Sequence, residues 1–190
     1  MSDSANDEFF NIRKQLRSLD EDQIVSLVGE LVDQNCSELD AQYWKLVIVA
    51  GAESQEVTRQ YAAKGSPAAQ AVIGTALLHG QFTEKDVAQG LFWLRRAHNN
   101  GNTKASIVLG SAYFDGSLQR DARKGAEYIA GAAHAGDPAA QHMYALLLID
   151  GDGVDQDENE AIAWLRRAAE RDHEKAIELL QANDIPLHDE

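Results

Sequence analysis

The side chains able to do chemistry are thinly spread in this sequence. Six histidines occur: His79, His98, His134, His142, His173 and His188. A zinc hydrolase sets two imidazoles on one helix face, as His-Glu-x-x-His, so that both reach one ion. No two of these histidines have that spacing. The acids between Asp150 and Glu160 invite a calcium reading. Such a loop wants acids or amides at alternate positions, glycine at the sixth and glutamate at the twelfth. Counted from Asp150, the fifth position is Val154; counted from Asp155, the sixth is Glu160. The run reads instead as a loop between helices. Ser106 and Ser111 are the most tempting hydroxyls, but no Gly-x-Ser-x-Gly elbow surrounds either. The glycines do not cluster into a phosphate loop. Cys36 is the only cysteine, which excludes an internal disulfide and a thiolate zinc site. It reads as a packed residue. Trp44, Trp93 and Trp164 could form a stacking platform. The last two recur at one repeat position, so core packing is the better reading. No catalytic residue, metal or cofactor is expected. The one enzymatic alternative is a hydrolase whose site lies in the groove lined by the first helices, with His142 as its only obvious base and nearby Ser111 as the candidate hydroxyl.

Charge narrows the partners. The 190 residues carry a formal net charge of −14. Residues 1–50 hold ten acids and four bases, 51–136 seven and nine, and 137–190 fourteen and four. Binding duplex DNA requires the opposite sign, so nucleic acid is not the expected partner. The acidic end would steer a basic protein. With 44% apolar and 25% charged residues, the chain reads as soluble and globular. The longest uncharged stretch, Gly65 to Thr83, carries Pro67, Gln70, Gln81 and three glycines, and does not suit a membrane span. The acidic N-terminus has no apolar run of the signal-peptide kind. A cytoplasmic protein is expected.

The chain is organised by a repeat. Gly65, Gly101, Gly136 and Asp172 open successive units, 35 or 36 residues apart. Each is followed by Ala69, Ala105, Ala140 or Ala176, then by Ile73, Leu109, Tyr144 or Leu180. A small residue comes next in the three full units: Gly74, Gly110, Ala145. Leu77, Tyr113 and Leu148 lead to Gly80, Gly116 and Gly151. The second half opens on Asp86, Asp121 or Asp157, then runs through Gly90, Gly125 or Ala161 and an aromatic at Trp93, Tyr128 or Trp164. This periodicity predicts two helices per unit. The glycines after the first are placed for left-handed C-caps, and the acids for the start of the second. Small residues inside helices cost propensity, so their recurrence implies close helix crossings. Such a pair is completed only by its neighbours.

The pattern resembles the Sel1-like repeat family, a relative of the tetratricopeptide repeats. The matching residues are Ala-Gln-x-x-Ile-Gly-x-x-Leu-x-x-Gly at 69–80 and Ala-x-x-x-Leu-Gly-x-x-Tyr-x-x-Gly at 105–116. A third stretch runs from Asp150-Gly151-Asp152-Gly153 into Trp164-Leu165-Arg166-Arg167-Ala168-Ala169. The resemblance implies an all-α, right-handed superhelical α/α solenoid serving as a scaffold for protein complexes. Secreted members with paired cysteines are linked to β-lactam binding, which a chain with one cysteine does not inherit. The expected divisions are an N-terminal helical cap at 1–38, a degenerate repeat at 39–64, and repeats at 65–100, 101–135 and 136–171. A terminal half repeat with an acidic tail fills 172–190.

Stacked helix pairs make a concave face lined by the first helix of each unit. Helical phase away from the packing stripe selects Ala71, Thr75 and Leu78, then Ile107, Ser111 and Phe114, then His142, Leu146 and Ile149. Asp115 and Asp150 fall at the edge. Leu78, Phe114 and Ile149 would form an apolar ladder. The expected function is a non-enzymatic protein-interaction adaptor, binding a protein or peptide in this groove. Its acidic rim suits a basic partner. An alternative is a dedicated inhibitor or immunity protein for a basic toxin or enzyme.

Overall fold

The computed structural model describes residues 52–81 and 83–187. Among them stand eight helices and no strand. The expected cap at 1–38 and the start of the degenerate repeat lie outside the described residues, as do Cys36, Trp44 and His188. The described helices belong to two compact units, divided between Asn100 and Gly101.

The first unit holds α1 (Ala52–Lys64), α2 (Pro67–His79) and α3 (Val87–Asn99). Local chemistry sets their ends. Ser66 caps α2 by accepting from the Ala69 amide, and Pro67 begins the helix where its missing N–H costs nothing. Gly80 ends it at φ 71°, the left-handed conformation. Asp86 caps α3 through the Gln89 amide at 3.0 Å, and the Gln89 side chain donates back to it. The two helices meet at Gly74 and Gly90. A Cβ on Gly74 would stand 2.9 Å from the Leu94 amide nitrogen, and one on Gly90 2.7 Å from that of Leu78. Ile73, Leu78, Leu94 and Ala97 are fully enclosed around this crossing. Each of the larger ones contributes about 1.5–3 kcal/mol of burial.

The second unit runs α4 (Thr103–Ala112), α5 (Ala122–His134), α6 (Pro138–Asp150), α7 (Glu158–Ala169) and α8 (Glu174–Ala182). Asn102, Asp121, Asp137 and Asp157 cap the first four through their side chains. His173 precedes α8 and makes no such bond. Gly110 and Gly125 repeat the close crossing. A Cβ on Gly110 would strike Ile129, and one on Gly125 would stand 2.5 Å from the Phe114 ring. In the next pair the equivalents are Ala145 and Ala161, both fully buried. Trp164, Leu148, Leu165 and Leu180 fill the core behind them.

Two expectations change in detail. Gly116 has φ 82°, but α4 has already ended, with Tyr113 at its C-cap. Trp93, unlike the buried Trp164, is partly exposed. Its ring meets Phe92 edge-on at 5.1 Å, with the Arg96 guanidinium 5.9 Å away, both neighbours from its own helix.

Candidate functional site

The groove residues selected by phase separate into three groups. Leu78 is fully buried in the first unit. It stands one turn beyond Gly74 and so shares the crossing face. It is core, and the exposed ladder does not begin there. Phase also misplaces Phe114. It lies past the end of α4, where helical periodicity no longer applies, and its ring seats against Gly125. Ile107 and Ile149 are partly buried and pack onto the core of the second unit.

The remaining residues stay open. Ser111 is partly exposed in the last turn of α4, and its carbonyl accepts from the Phe114 and Asp115 amides. Asp115 is exposed and accepts from the Ser117 amide at 2.8 Å. On α6, the partly exposed His142 and Leu146 follow at helical spacing, and Leu146 is 36% exposed. Only Phe92 and Leu146 are exposed large apolar side chains among the described residues. Asp150, exposed, closes α6.

The starts of α4 and α6 are tied together. The Asp137 carboxylate caps α6 through the Ala139 and Ala140 amides. It also accepts from the Thr103 hydroxyl at 2.8 Å and the Lys104 ammonium at 3.0 Å. Burial pushes its acidity down, but bonds from Lys104, Thr103 and the Ala140 amide outweigh that and hold its pKa below the usual carboxylate value. The N-terminal ends of α4 and α6 are thus tied together. Sequence periodicity did not single out Asp137, and it carries no trace of the partner supplied from the preceding repeat.

Two buried glutamines were also missed as fasteners. Gln70 donates to the Ala62 carbonyl at 2.9 Å, and Gln141 to that of Ala133 at 3.3 Å. Both occupy the same repeat position, in Pro-Ala-Ala-Gln, and that recurrence is the signal. Phe92 carried a signal as well. Its counterparts in the following units are Glu127 and Ala163, which marks a solvent-facing position.

The residues weighed for chemistry are engaged structurally. Asp152 pairs with Arg120 at 3.0 Å, Asp157 caps α7, and Gly153 lies against the Ala122 backbone too closely for any Cβ. The His134 ring meets that of Trp164 at 4.9 Å. His142 stacks on His173 at 5.0 Å, and no hydrogen bond joins it to Ser111 among the described residues. Burial depresses the His142 pKa below the ordinary imidazole value, helped by the charges of His173 and Lys175.

Comparison with known proteins agrees with the helix pairing. The Sel1 repeat model matches residues 67–102, 103–137, 138–173 and 170–182. The crystal structure of a Sel1 repeat protein from Oxalobacter formigenes is similar at 31% identity and a TM-score of 0.60, covering 66% of this chain and 95% of that one. The c5321 protein, a protective antigen present in uropathogenic Escherichia coli strains and displaying an SLR fold, superposes with a TM-score of 0.67 at 19% identity. That match covers 88% of this chain and 37% of c5321. No curated protein matches the chain. No described helix is long and apolar enough to cross a membrane. The fold class is the all-α solenoid of these relatives, and the chain belongs to the Sel1 repeat family.

Proposed function

We propose that this chain is a non-enzymatic adaptor whose second unit binds a protein or peptide along the face shared by α4 and α6. Sel1 repeat proteins generally mediate protein–protein interactions. In this reading Ile107, Ser111, His142, Leu146 and Ile149 make the contact surface, with Phe114 beneath it. Asp115 and Asp150 provide an acidic edge. The observation that supports the reading is Leu146, a large apolar side chain left exposed one helical turn from the partly buried His142 and Ile149. An apolar anchor with a polar rim is how such surfaces hold a partner.

The net charge favours a basic partner over nucleic acid, and the single cysteine suits the cytoplasm. The test is partner capture with Leu146→Asp beside wild type. Capture should fall about tenfold or more while the melting temperature stays put, since this side chain supports little of the core. Equal capture by both proteins removes the face from consideration. A second reading, a dedicated inhibitor of a basic toxin or enzyme, draws on the acidic C-terminal third. It is separated from the first by capture of one stoichiometric, strongly basic protein whose activity the chain abolishes.

A further inference from the structure

The last described helix is fastened differently from the first helices of the three repeats before it. Ser66, Asn102 and Asp137 precede α2, α4 and α6, and each side chain accepts an amide hydrogen of the helix it opens. His173 holds the same place before α8 and caps nothing. Its ring instead lies on that of His142 in α6, centroids 5.0 Å apart and planes inclined by 28°. Its Nδ1 is buried, with no hydrogen-bond partner among the described residues. The terminal half repeat therefore exchanges a capping bond for a ring stack that reaches back to the preceding unit.

We propose that the His142–His173 stack is an acid-labile clasp, through which a fall in pH loosens the docking of α8. A stacked pair of neutral rings is attractive. A proton on one ring replaces that contact with a partly buried cation. The surrounding charges do not rescue it. Lys175 on α8 acts on His142 with the same sign as the proton. Arg171, in the loop before α8, is also cationic and donates to the Gly136 carbonyl. At the start of α6, the Asp137 carboxylate is already committed to Thr103 and Lys104. On α7, Glu160 accepts from Trp164 at 3.1 Å, and His134 of α5 packs against that same indole. Asp172 and Glu174 flank His173 but are exposed to water.

The direction of the pH effect follows from the depressed basicity of His142. The unfolded chain takes up a proton near the ordinary imidazole pKa of about 6.5, whereas the docked ring resists it. The clasp therefore contributes fully above that pH and weakens as pH falls below it.

Amide hydrogen exchange of Ala176, Ile177 and Leu180 in the full chain reads the effect, corrected for intrinsic exchange rates. In wild type, protection should fall about threefold or more between pH 7 and pH 5. In His173→Asn, which restores a capping side chain and removes the ring, protection should be higher at pH 5 and nearly flat across the range. His142→Gln should also flatten the profile, with the cap still absent. The same pH dependence in wild type and His173→Asn would overturn the clasp, as would an NMR titration of His142 at or above the ordinary imidazole value.

Discussion

A left-handed residue stands at the opening of each described repeat. Gly65, Gly101 and Gly136 have φ of 108°, 81° and 90°, and Asp172 takes the same role at 59°. A side chain in this region costs about 1–2 kcal/mol, somewhat less for aspartate. Asp172→Gly should therefore raise stability by about 1 kcal/mol, read as a higher melting temperature; a lower one would mean that Asp172 makes a favourable contact worth more than the strain. Asp137 works the other way. Asp137→Ala removes a cap and two bonds from the preceding unit, at an expected cost of about 2–3 kcal/mol in a denaturant titration. Lys104→Ala, at the exposed end of the same pair, should cost less than about 1 kcal/mol. Because the folded Asp137 carboxyl has a lowered pKa, its contribution is present above about pH 4 and disappears as pH drops through the folded value. The periodic glycines were readable because backbone conformation restricts residue type directly. The Lys104–Asp137 pair was not, since nothing in the spacing of charges states which distant side chain a cap will meet.

At the scale of helices, the crossings invite a paired experiment. Gly90→Ala places a methyl group 2.7 Å from the Leu78 backbone nitrogen, where neither helix can yield without sliding. The expected loss is about 1–3 kcal/mol. Gly131→Ala, on the open side of α5, meets nothing within 4 Å and should gain about 0.5–1 kcal/mol from propensity and chain entropy. Denaturant midpoints that move in the same direction for both would contradict the crossing geometry. The helices themselves were legible because caps, small residues and aromatics all repeat. The outward face was less so. Leu78 follows Gly74 by one turn, and α2 buries residues around most of its circumference, so absence from the chosen stripe did not mean exposure. Phe114 escaped because α4 stops before it, and a phase argument holds only while the helix continues.

For the molecule as a whole, the net charge of −14 is its most general property toward partners. If the partner is basic, the association rate should fall about tenfold or more with added salt, as the screening length shrinks from about 10 Å at 0.1 M to about 3 Å at 1 M. Dissociation should change little if the docked state is held by the apolar face proposed above. A rate indifferent to salt would assign recognition to the apolar face alone. The small residues at the crossings carry a consequence of a different kind. In the first two described pairs both partners are glycine, at 74 with 90 and at 110 with 125, while in the third both are alanine, at 145 and 161. A methyl group on one side alone meets opposing backbone, but wider spacing between the axes makes room for one on each. The two positions are thus expected to change size as a couple, so that relatives carrying alanine at one should carry it at the other.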